Sequence, residues 1–117
     1  MRLLGIEKPL NEAVDQYINE VYPYQKSKPN VIVLDCDEFE ARDFIALRSV
    51  YTIREETIYF KERPSPRDVC HEIEHWAQAQ RAGKQKYVEE LRNPLLYWQY
   101  EIGAMEVALA NAPRLKW

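Results

Sequence analysis

The chain's only two histidines stand four residues apart, in the run His71-Glu72-Ile73-Glu74-His75. On an α-helix, positions i and i+4 project from one face about one turn apart, so two imidazoles at this spacing can close on one metal ion. The flanks supply the helix. Ser65 reads as an N-cap, Pro66 as the first helical residue and Asp68 as the partner of a capping box, while Gly83 can take the left-handed conformation at a helix end. Between them Val69, Ile73, Trp76 and Ala77 recur at helical spacing as an apolar stripe. At 100° per residue the two histidines fall on a different face from Ile73 and Trp76, so the stripe can enter a core while the histidines look into a cleft. Glu72 adjoins the histidine face without lying on it, which suits a group that touches water at a metal and not the metal itself.

H-E-x-x-H on a helix is the arrangement with which zinc-dependent peptide hydrolases hold their ion. A catalytic zinc site needs three protein ligands and an open position, the third ligand often a glutamate. Asn93-Pro94 gives a second helix start, N-cap then first position, for a helix running from about Leu95 to Ala110, before Pro113. On its wheel Tyr97, Glu101, Ala104 and Ala108 share one stripe, and the two alanines let another helix approach closely. Glu106 lies about 140° round from Glu101, so the two cannot both face the metal. Glu101 is therefore the expected third ligand.

These residues resemble a known group. H-E-x-x-H followed by a helix carrying E-x-x-A-x-E, here Glu101-Ile102-Gly103-Ala104-Met105-Glu106, is similar to the gluzincins. The likeness is to the small minigluzincins, minimal single-domain relatives of the catalytic domains of HtpX-type and CAAX-processing membrane metallopeptidases, and it spans roughly residues 57–110. It implies His71, His75 and Glu101 as zinc ligands and Glu72 as general base and acid. Many gluzincins place an Asp one residue after the Ala, where it supports a ligand histidine. Here that position is Met105, so support must come from Glu106 or a backbone carbonyl. In the group, the strand before the zinc helix forms the upper rim of the cleft and pairs with extended substrate; the matching residues are Thr57, Ile58, Tyr59 and Phe60, leading to Lys61.

Composition sets the bounds. A chain of 117 residues makes one domain and can bury about two-thirds of its unfolded surface. With 46% apolar residues it has ample material for a core. A net charge of −3 and a pI near 5.4 argue against a basic nucleic-acid surface. No apolar run approaches the length of a membrane span, and the N-terminus lacks a signal-peptide layout, so the expected location is the cytoplasm. Cys36 and Cys70 make one pair at most; the reading is two reduced thiols in or near the core, with a bridge left open.

The remaining segments read as scaffold. Leu10, Val14, Tyr17, Ile18 and Val21 form the apolar stripe of an N-terminal helix ended by Pro23. Asn30 to Leu34 suggests a buried strand. Asp35, Asp37, Glu38 and Glu40 form an acidic cluster, read as caps and solvated faces of a short helix in preference to a cation site. Val50–Arg54 and Thr57–Lys61 read as two strands of a hairpin joined at Glu55-Glu56.

The expected architecture is α+β: a single zincin-like domain over residues 1–117, with a sheet of about three strands, an N-terminal backing helix, an active-site helix and a glutamate helix. The expected activity is zinc-dependent hydrolysis of peptide or protein substrates, Glu72 moving the proton between water and leaving amine. With both histidines on the metal, the oxyanion donor must be Tyr, Arg, Lys or backbone; Tyr97 and Tyr100 are candidates. A zinc-binding interaction module without hydrolysis is the alternative, and a metal-free helical binding protein a third. Pro113 cannot continue its helix, which leaves Pro113 to Trp117 as an extended tail with two readings. It packs on the chain's own body or is simply disordered, or it lies in an active-site cleft, its own or a neighbour's through self-association, as resemblance to zymogen-like minigluzincins implies, and keeps the enzyme latent.

Overall fold

The computed structural model describes residues 7–42 and 47–115. Its architecture is α+β in a single domain. The order is α1 (Glu7–Val21), β1 (Asn30–Leu34), α2 (Cys36–Ala41), β2 (Ser49–Thr52), β3 (Thr57–Lys61), α3 (Pro66–Ala82), α4 (Lys84–Leu91), α5 (Pro94–Asn111) and a 3-10 turn, Ala112–Arg114.

The sheet sets the layout. Its strand order is β1-β3-β2, with β1 parallel and β2 antiparallel to β3. Successive side chains of a strand point to opposite faces. Ile58 and Phe60 accordingly join the main core with Leu10, Val14, Tyr17 and Ile18 of α1 and Val69, Ile73, Trp76 and Ala77 of α3. Tyr59 turns to the opposite face and packs with Leu34 and Phe39, the latter from α2. Asn30–Leu34 is thus an edge strand, buried only at Val33 and Leu34 rather than along its length.

Local chemistry explains the helix bounds. Ser65 Oγ accepts from the Asp68 amide and the Asp68 carboxylate accepts from the Ser65 amide, closing the capping box at the start of α3. Gly83 ends it with φ of +90°, a conformation that L side chains rarely adopt. Asn93 Oδ1 caps α5 by accepting from the Leu95 and Leu96 amides. Asp35 caps α2 through the Glu38 amide. The hairpin turn is longer than its sequence suggests: β2 ends at Thr52, and Ile53 to Glu56 form the turn, Glu56 at φ +49°.

The tail departs from an extended segment. After Asn111 the chain tightens into the 3-10 turn, Leu115 is buried in the main core, and Arg114 lies 3.9 Å from Glu20 of α1. The described part of the tail therefore packs on the chain's own body; Lys116 and Trp117 lie outside the described residues. Both thiols are free, Cys70 inside the main core and Cys36 donating to Glu62 Oε1.

Candidate metal centre

α3 and α5 pack against each other through Ala104 and Ala108, both buried. Their small side chains let the helices approach closely, and the Glu101 carboxylate reaches the histidine face. His75 Nε2 lies 2.9 Å from Glu101 Oε1, His71 Nε2 lies 3.5 Å from Glu101 Oε2, and the two Nε2 atoms are 3.1 Å apart. A tetrahedral ion bound at about 2.0–2.1 Å holds its donors about 3.3 Å apart, so this triangle has the dimensions of three corners of such a shell. Among the described residues it is the group of histidine, cysteine and acidic side chains that converges this way; Asp35, Asp37, Glu38 and Glu40 do not.

Hydrogen bonds fix the orientation of the His75 ring. Gln78 Nε2 donates to the Tyr100 carbonyl of α5, which fixes the orientation of its amide. Gln78 Oε1 then faces His75 Nδ1 at 2.9 Å and accepts its proton, and it also accepts from the Tyr87 hydroxyl. With Nδ1 protonated, His75 Nε2 faces the Glu101 carboxylate and His71 Nε2, an array that either a proton on an imidazole or a bound cation can balance. The same contacts shift the titrations. His71 first, then His75, hold the Glu101 carboxyl well below the usual carboxylate range. Burial works to lower the His75 pKa, but the Glu101 hydrogen bond, the Glu72 charge and Gln78 outweigh it, and the net shift is upward.

Glu72 sits beside the triangle, buried, with Oε2 accepting from Ser49 Oγ of β2 at 3.0 Å. Burial pushes its carboxyl up from the ordinary range, against the pull of His75, His71 and the Ser49 hydroxyl. A carboxylate with a raised pKa next to a metal position is suited to taking and returning a proton. The cleft over this group has a volume of about 360 Å³. His71, Glu72, His75 and Glu101 form one wall, Ser49, Val50, Tyr51 and Ile53 another, and Tyr87, Leu91 and Tyr97 close it.

Three assignments made from sequence are corrected here. Glu106 is exposed and touches neither histidine; the partners of His75 are Gln78 and Tyr87. Tyr100 does not line the cleft, because its hydroxyl is turned to Glu90 Oε1 and its ring stacks edgewise on Tyr87. Thr57, Ile58, Tyr59 and Phe60 cannot take a substrate strand, since β3 is the central strand and both of its edges are occupied. Among the described residues, the unpaired edge on the cleft side belongs to β2. Tyr97 does line the cleft, and Pro113, Arg114 and Leu115 do not. Gln78, Tyr87 and Ser49 were missed. The usable signal for Gln78 was its place three residues after His75, where a helix brings it to the same face.

No family model, curated protein or solved structure matches the chain.

Proposed function

We propose that the chain is a zinc-dependent peptide hydrolase of the gluzincin type, acting on peptides or proteins in the cytoplasm. The observation that carries this reading is the meeting of His71, His75 and Glu101 at ligand distances in a cleft that also holds the buried Glu72. Two imidazoles and one carboxylate suit zinc, and three protein ligands leave a coordination position open. Zinc bound there supplies Lewis acidity toward a carbonyl oxygen and acidifies water.

The chain's own residues supply the rest. Glu72 takes the proton of the attacking water and returns it to the leaving amine, and Ser49 holds one of its oxygens in place. The Arg48 carbonyl accepts from the Lys61 amide, and in an antiparallel pair hydrogen-bonded and non-bonded positions alternate. The main-chain groups of Ser49 and Tyr51 therefore face away from β3, where an extended peptide can pair with them. To Tyr97, which lines the cleft and is partly exposed, we assign the role of meeting a developing oxyanion.

The test combines metal analysis of protein purified without added zinc with hydrolysis of quenched peptides by wild type and Glu72→Ala. One zinc per chain in both proteins, with hydrolysis in wild type alone, is the expected result. Zinc in both and hydrolysis in neither makes the chain a zinc-binding interaction module. Absence of zinc from wild type overturns the proposal.

A further inference from the structure

α5 is apolar almost all round, yet the body of the protein covers one side of it. Ala104 and Ala108 are buried, whereas Leu95, Trp98, Ile102, Met105 and Leu109 stand 52–67% exposed. Single exposed apolar residues are ordinary. Five at successive spacings of three, four, three and four are not: these are the a and d positions of a heptad, carried over two full repeats on the outward face. The period of 3.5 keeps such a seam in contact with a second helix along its whole length, here about 21 Å.

We propose that α5 pairs, antiparallel and about a two-fold axis, with α5 of a second copy of this chain. Area supports the pairing. Five large side chains, each more than half exposed, present roughly 500 Å² per copy, at the upper end of what a monomer leaves bare. Over both copies that is roughly 1,000 Å², the size at which a specific interface begins. Charge supports it too. α5 carries no Lys or Arg, its only charges are Glu101 and Glu106, and the chain's net charge is −3. A helix that lies on a lipid surface needs a basic polar face, which α5 lacks.

The seam is centred on Ile102, so an antiparallel two-fold axis there sets Leu95 against Leu109 of the partner subunit. The contact is then isologous and closed.

Sedimentation velocity on the full chain, from micromolar to sub-millimolar concentration, tests this without any activity. Wild type is expected to move from 13.9 kDa to twice that mass. Met105→Glu and Leu109→Glu are each expected to raise the dissociation constant at least about tenfold, with unchanged circular dichroism. In a Cys36→Ser background, Ile102→Cys on the axis should form a disulfide-linked dimer under mild oxidation, and Val88→Cys on α4 should not. Wild type that stays monomeric throughout overturns the proposal, as does a Met105→Glu variant that dimerises as tightly as wild type. Monomeric wild type that pellets with phosphatidylserine vesicles overturns it in favour of a lipid surface.

Discussion

Glu101 and Glu106 stand on one helix with opposite surroundings. Glu101 is drawn in beside two imidazoles, while Glu106 is exposed. Glu101→Ala is expected to weaken zinc binding by orders of magnitude, because it removes one of the three proposed ligands. Glu106→Ala should leave it within about twofold, since no contact to the centre is lost; competition with a chelator measures both. Ser49 makes a second test. Its hydroxyl stabilises the charged form of Glu72, so Ser49→Ala should raise the Glu72 pKa further. The base acts deprotonated, so the acid limb of the kcat/KM profile should move to higher pH, with zinc content unchanged. An unmoved limb would show that Ser49 does not position Glu72. His71, His75, Glu72 and Glu101 were legible because fixed helical geometry converts their spacing into proximity. Ser49 was not, because its position depends on which strand borders the cleft.

At the scale of elements, Gln78 joins α3 to α5, holding His75 with its carbonyl and the Tyr100 carbonyl with its amide. Gln78→Leu keeps the volume but removes both bonds. Loss of a ligand's supporting hydrogen bond is expected to weaken zinc binding about 10–100-fold, read by the same competition. Unchanged affinity would show that Tyr87 alone suffices for His75. α3 and α5, capped by Ser65 and Asn93, could be placed from sequence within one residue at each end. α4 could not: Gly83 offers it no side-chain cap and Tyr87 is its single buried residue, so no stripe marks it. Strand order was illegible for another reason. Pairing is decided by contacts distant in sequence, and only the continuous burial from Thr57 to Phe60 hints at a strand covered on both faces.

For the whole molecule, the donors come from two helices, so an ion bound there would join α5 to the body more firmly than two small alanines can. At a zinc concentration of about 100 Kd, the folded state should gain about 2.7 kcal/mol, or roughly 10 °C in Tm; melting with and without chelator measures it. The α+β class and single domain were legible because capped helices and short apolar strands add up to one core's worth of chain. The seating of Leu115 in that core was not, since nothing in the sequence near it says what covers it. One consequence concerns the five residues from His71 to His75. His71, Glu72 and His75 face the cleft. Ile73 fills the main core, and Glu74 lies buried between the Tyr22 hydroxyl and the Arg81 guanidinium. A saturation library should therefore find no permissive position in the pentapeptide, but two kinds of failure. Changes such as Ile73→Ala, costing about 2–5 kcal/mol, or Glu74→Ala, leaving a buried hydroxyl and a cation without their acceptor, should lower the yield of folded protein. Changes at the other three should give normal yields of inert protein, so expression level and turnover, scored together, would sort the five letters into those that build the helix's seat and those that work in the cleft.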